Sequence, residues 1–186
     1  IVDADLFIVD DGAGGTNRKV AASRLKTYAA GGANTPYFQA GMTSGMTLTH
    51  DVITLVNFDR ADVDSASGYD TTNKRYVIPS GQGGFWHFGY SIIIEAADAD
   101  KLWIAGVWPR KNGSDFPSFN SRSQGIFYAR QDANPSYNLT CTKSFIGEVA
   151  ATNYVDIYAY MAHSDAGLGA AGDYYTQFWG FKLAGT

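Results

Sequence analysis

The sequence predicts an all-β sandwich, and three observations carry that reading. Aromatic residues make up 15% of the 186 positions and glycine occupies 21, while charged residues stay at 17%. That balance suits strands and tight turns better than helices. From Phe85 the chain alternates, with Trp86, Phe88 and Tyr90 on one face and Phe85, His87 and Gly89 on the other. Before it, the β-forming Tyr76-Val77-Ile78 stops at Pro79, which cannot donate to a ladder, and Ser80 to Gly84 supplies turn chemistry.

Length allows one ordinary domain plus a small appendage. The net charge of −4, with no cluster of Lys and Arg, argues against a nucleic-acid partner. No apolar run approaches the roughly 20 residues needed to cross a bilayer, so no membrane insertion is expected. One cysteine, Cys141, excludes a disulfide within the chain and reads as a small buried hydrophobe. The chain opens on Ile1 with no signal peptide, as a processed product or the ordered part of a longer protein would.

Taken in order, residues 1–32 differ from the rest. Leu6 to Val9 is an apolar run, Asp10 to Asn17 a glycine-rich turn, and Arg18-Lys19-Val20 an extended return. Ser23 then caps a short helix through Tyr28, which Gly31-Gly32 ends. So small a unit buries little alone, so it must pack on copies of itself or on another protein. Asp10 and Asp11 lack the oxygen-ligand spacing of a calcium loop and read as solvated turn carboxylates. Ala33 to Pro36 is the linker, and 33–186 is the main domain.

In that domain, Thr47 to Phe58 reads as an edge strand and Asp59 to Ser67 as a polar loop. Gly68 to Tyr90 and Ser91 to Glu95 form the central strands, ending in the acidic turn Asp98-Ala99-Asp100. Lys101 to Trp108 is apolar on both faces, with Leu102, Ile104 and Trp108 opposite Trp103, Ala105 and Val107. Asn153 to His163 is similar, with Val155, Ile157, Ala159 and Met161 opposite Tyr154, Tyr158 and Tyr160. An antiparallel strand of a monomer usually keeps one face wet. The second faces are therefore expected at a subunit interface: Trp103, Ala105, Val107, Tyr154, Tyr158 and Tyr160. Gln124 to Gln131, Tyr137 to Gly147 and Tyr174 to Leu183 supply the remaining strands. The long loops at 109–123, 132–136 and 164–173 carry the expected recognition residues, Asn112, Asp115, Phe116, Phe119, Asn120 and Asp165.

No nucleophile elbow, zinc-binding helix or phosphate loop is present, so no catalytic residue, metal or cofactor is assigned. His50, His87 and His163 are dispersed. Three copies of His87 on a trimer axis would offer metal ligands, but a lone strand histidine is more often simply hydrogen-bonded. The carboxylate pairs Asp62/Asp64 and Asp98/Asp100 sit in polar segments. The two sequons at Asn112 and Asn138 would count in a secreted animal protein and otherwise read as chance matches.

Two resemblances extend this reading. Tyr69-Asp70, a strand into Pro79, a glycine turn ending at Gly84, then Trp86 and Phe88, followed by Asn112-Gly113 and the terminal Phe178-x-Gly180-x-x-Leu183, resemble the tumour-necrosis-factor-like superfamily. The match is to the version found in globular heads of the complement first-component q subunit, and it spans roughly 36–184. It implies a jelly roll assembled as a homotrimer. Residues 3–29, including Leu6, Phe7, Asp10, Asp11, Arg18, Leu25 and Tyr28, resemble a segment recurrent in tail-fibre and other virion proteins of marine bacteriophages. That resemblance implies a virion location, on tail or capsid surface, and docking of 1–32 on other virion proteins. The expectation is a trimeric fibre whose head touches a host surface glycan or protein. The alternatives are a capsid decoration protein, a polysaccharide depolymerase or a secreted recognition head.

Overall fold

The computed structural model describes residues 6–9, 18–21, 34–96, 102–116, 126–128, 138–163, 168–171 and 176–184. They fall in two compact units, 1–33 and 34–184. In the first, β1 (Leu6–Val9) pairs antiparallel with β2 (Arg18–Ala21), Leu6 opposite Ala21 and Val9 opposite Arg18. Asp10, Asp11, Leu25, Tyr28 and the expected helix from Ser23 lie outside the described residues.

The second unit holds β3 (Tyr37–Gly41), β4 (Met46–Thr49), β5 (Thr54–Leu55), β6 (Arg60–Asp64), β7 (Tyr69–Asp70), β8 (Arg75–Val77) and β9 (Gly84–Ala96). It continues with β10 (Leu102–Lys111), β11 (Ser114–Asp115), β12 (Ile126–Tyr128), β13 (Asn138–Val149), β14 (Tyr154–His163), β15 (Leu168–Ala171) and β16 (Gln177–Lys182). Two antiparallel sheets result. One runs β11-β10-β14-β8-β7, with β12 beside β10 and β5 beside β14; the other runs β4-β15-β9-β16-β3-β6, with β13 beside β9.

Alternation in β9 sends Trp86, Phe88, Tyr90, Ile92 and Ile94 into the core, joined there by Ala105, Val107, Val155, Ile157, Ala159, Met161 and Phe178. Each large side chain so buried contributes roughly 1.5–3 kcal/mol. Phe38 stacks on Tyr76 at 3.9 Å and 8°, and Trp86 on Phe88 at 5.8 Å. Gly180 permits this packing: a Cβ there would stand 2.7 Å from Phe88 and 2.8 Å from Phe38. The turn before β9 is held by the Trp86 indole N–H and the Gln82 amide, which donate to Gln82 O and Pro79 O. Leu183 N donates to Phe85 O at 2.9 Å, tying the last strand to β9.

Four segments differ from the sequence expectation, one of them the predicted loop 164–173, which contains β15, paired with β4 and β9. The predicted strand Thr47–Phe58 is broken at Asp51, whose φ is 56° and whose N–H donates to Met161 O. β4 joins one sheet and β5 the other, so the chain changes sheets at this corner. The predicted loop 59–67 contains β6, a charged edge strand beside β3. Asp64 ends that strand by accepting from the amides of Ala66, Gly68 and Tyr69. β10 runs on through Pro109 to Lys111, and Asn112 (φ 51°) and Gly113 (φ 78°) form the two-residue turn into β11.

Candidate functional site

The two sheets present outer faces of opposite chemistry. On the β10–β14 sheet, strand register places Asp115, Arg110, Asp156, Arg75 and Asp70 side by side across five strands. The charges alternate along this row. Arg110 Nε lies 3.0 Å from Asp115 Oδ1, and Arg75 Nε 3.7 Å from Asp70 Oδ2. Each guanidinium also covers a ring, Arg75 over Tyr154 and Arg110 over Tyr158, both at 4.3 Å. Asp156 is only 5% exposed. Burial pushes its carboxyl up to about 6, against the opposing pull of Arg110 and Arg75. Its Oδ1 and Arg75 Nε have no hydrogen-bond partner among the described residues.

This arrangement corrects the interface expected from sequence. Ala105 and Val107 are fully buried in the core of a single chain, so they have no surface to offer a partner. Tyr154 and Tyr158 lie under their arginines, and the Tyr160 hydroxyl is 2.5 Å from Asp51 Oδ1. On the second face of β14, side chains of the same chain partly cover these three tyrosines. Trp103 belongs to β10, next to a register irregularity between Leu102 and Ile104, and its side chain lies outside the described residues.

The β9–β16 sheet is different. One row of its outer face reads Tyr37, Phe181, His87, Ile146 across β3, β16, β9 and β13. The next row reads Val63, Gln39, Trp179, Gly89, Ser144. Trp179 lies flat across Gly89, where a Cβ would come within 2.4 Å of the indole. Phe85 completes the patch beside Ile146's row. Among the described residues five large apolar side chains are exposed, and Tyr37 (44%), Val63 (44%), Phe85 (45%) and Ile146 (54%) share this face. Single exposed apolar residues are ordinary, whereas a contiguous group is not. In its centre the His87 ring lies 5.0 Å from Phe181, and its Nδ1 is buried without a hydrogen-bond partner among the described residues.

The expected recognition loops divide. Phe116 is a core residue, 2% exposed, with its ring 5.2 Å from Phe145 and packed over Gly147. The Asn112-Gly113 turn folds the chain back and the Phe116 amide bonds to Pro109 O, which carries the ring inward. Asn112 is exposed, but its Oδ1 accepts from Tyr154 N at 2.9 Å. Asp115 is exposed and paired with Arg110. Phe119, Asn120 and Asp165 lie outside the described residues. A shallow cavity of about 310 Å³ includes Ser67, Tyr69, Asp70, Pro79 and Thr152. Asp70 is occupied by the Asn73 side chain, the Asn73 amide and, less strongly, the Thr72 amide, which hold its carboxyl below the usual range. Tyr69 donates to Phe58 O. Cys141 is fully buried, and burial pushes its thiol up to about 12. Among the described residues no group of three His, Cys, Asp or Glu side chains is placed to hold a metal ion.

No protein-family model and no curated protein matches the chain. Solved structures do. Murine APRIL at pH 8.0 aligns over 79% of this chain and 98% of its own, with a TM-score of 0.51 and 10% identity. The fold is that of a tumour-necrosis-factor-like jelly roll. The globular domain of zebrafish complement 1qA protein aligns over 80% of this chain and 98% of its own, at 13% identity and a TM-score of 0.47. Eiger, a TNF from S. frugiperda, covers 81% and 92% at 8% identity and 0.44. The Tyr69–Asp70 strand lies at the edge of its sheet, and the aromatic β9 lies inside the other, between β15 and β16 with β13 beside it.

Proposed function

We propose that this jelly roll is the non-enzymatic, adhesive head of a homotrimeric fibre, and that copies associate through the outer face of the β9–β16 sheet. The observation that carries this is the gathering of Tyr37, Val63, Phe85 and Ile146, all exposed, on that one face. Burying such a patch between copies removes apolar surface from water, the main driving force for association. The finer reading, a virion fibre docked through 1–32, rests on the resemblance of residues 3–29 to bacteriophage tail-fibre proteins. Three linked heads would let weak contacts to a host glycan or protein act together.

The test is binding of fluorescently labelled protein to a panel of marine bacterial cells, comparing wild type with Ile146→Glu. Multivalent engagement predicts binding about 100-fold weaker for the substituted chain. Equal binding by both, or none by either, contradicts the adhesive trimer. Release of reducing sugar from the cells would support the depolymerase instead.

A further inference from the structure

We propose that the β9–β16 face carries an acid-release switch centred on His87: the assembled copies hold together while this ring is neutral and separate when it takes up a proton. The inference rests on the self-association proposed above and adds its regulation. His87 sits in the middle of the apolar row, between Phe181 on β16 and Ile146 on β13, with Tyr37 next along. Its Nδ1 is already buried within one chain and finds no acceptor among the described residues. A neutral ring tolerates that position by leaving Nδ1 unprotonated and carrying its hydrogen on Nε2. The imidazolium cannot, because both ring nitrogens then donate. An apolar interface would add desolvation of the charge to a buried donor without a partner.

The charged groups around this face do not compensate. Glu148, opposite Phe85 on β13 and diagonal to His87, is among the described residues the one carboxylate on this face near the ring; it is exposed in the single chain, and no hydrogen bond joins it to His87 Nδ1. Glu95 lies at the far end of β9. The Arg60–Asp62 pair closes on itself over Gly41 at the β6 edge. By register Lys143 and Lys182, opposite Tyr90 and Trp86, alternate to the other face. Tyr37 and Gln39 on β3 and Gln177 on β16 carry no charge at neutral pH. The unpartnered Nδ1 also argues against a metal at His87, because ligating histidines donate their second ring N–H to a carboxylate or carbonyl.

Histidine is the side chain whose charge changes between about pH 5 and 8. As the pH falls through that range, each copy whose ring must stay neutral lowers the association constant by up to about tenfold per pH unit, on the order of a thousandfold per unit for three copies. The experiment is sedimentation velocity of the full chain at pH 8 and pH 5, with circular dichroism at both, for wild type, His87→Phe and His87→Gln. The expected result is wild-type trimer at pH 8, folded monomer at pH 5, and both substituted chains assembled at pH 5. His87→Gln keeps the test open if the larger phenylalanine disturbs folding. A wild type that stays trimeric at pH 5 overturns the switch and leaves the assembly standing. Substituted chains that dissociate at pH 5 like wild type overturn His87 as its seat. A wild-type monomer at pH 8 overturns the self-association itself, and the switch with it.

Discussion

Asp156 offers a quantitative test of the charged row on the β10–β14 sheet. The sign follows from two values: an unfolded aspartate near its ordinary 3.8 and a folded Asp156 near 6. Below 3.8 both states are protonated and the site costs nothing. Between 3.8 and 6 the unfolded chain releases its proton while the folded chain keeps it, so stability falls as pH rises. Above 6 both are ionised and the cost is constant. About two pH units at about 1.4 kcal/mol each amount to roughly 3 kcal/mol. Asp156→Asn keeps the shape without the charge, so it is expected to be more stable than the parent by that order at pH 7.5 and nearly equal to it at pH 3.5. Urea unfolding across this range measures the difference directly, in an Ile146→Glu background so that assembly does not enter. Asp59 and Asp70, whose carboxyls are held low, are common to both proteins and cancel. A variant less stable than its parent at pH 7.5, or a difference that does not change with pH, would refute the reasoning. It would mean that the attraction of Arg75 and Arg110 outweighs the burial of Asp156.

Further outcomes follow from the core. Phe116→Ala is expected to cost about 3–5 kcal/mol of unfolding free energy by removing a ring from the core, readable in the urea midpoint. Gly180→Ala is expected to destabilise by about 1–3 kcal/mol, since the new Cβ meets both Phe88 and Phe38; a thermal melt unchanged from wild type would contradict the close approach. The Cys141 thiol is expected to resist iodoacetamide at pH 8 in the folded protein and to react once the protein is unfolded, with mass spectrometry as readout.

The sequence made local periodicity legible and left long-range pairing hidden. β9 is legible because Trp86, Phe88, Tyr90, Ile92 and Ile94 recur at every second position, and β16 because three of its six residues are aromatic. The Asn112-Gly113 turn uses local chemistry, both residues adopting positive φ, yet the sequence reading left the pair inside a loop spanning 109–123. On β10 the interface expectation misplaced Ala105 and Val107, which one chain buries in its own core, for a physical reason. Two-sided apolar strands imply that the second face is covered, but not by what. Here the cover is Arg75 and Arg110, which reach Tyr154 and Tyr158 from neighbouring strands that only the register reveals. Phe116 misled in the same way, an aromatic in a polar stretch that a hairpin turns inward. The apolar patch was present in the alternation of Phe85 and His87 against Trp86 and Phe88. It becomes a patch only once Tyr37, Phe181 and Ile146 are brought alongside from positions up to 144 apart in the chain.

Self-association through the β9–β16 face is the central claim, and solution mass at pH 8 by sedimentation equilibrium tests it most directly. Wild type is expected at three times the 20.1 kDa protomer, Ile146→Glu at one, and Tyr160→Ser, on the opposite sheet, still at three. A wild-type monomer would contradict the account. So would a trimer that survives Ile146→Glu and is lost with Tyr160→Ser, which would place the interface on the β10–β14 sheet.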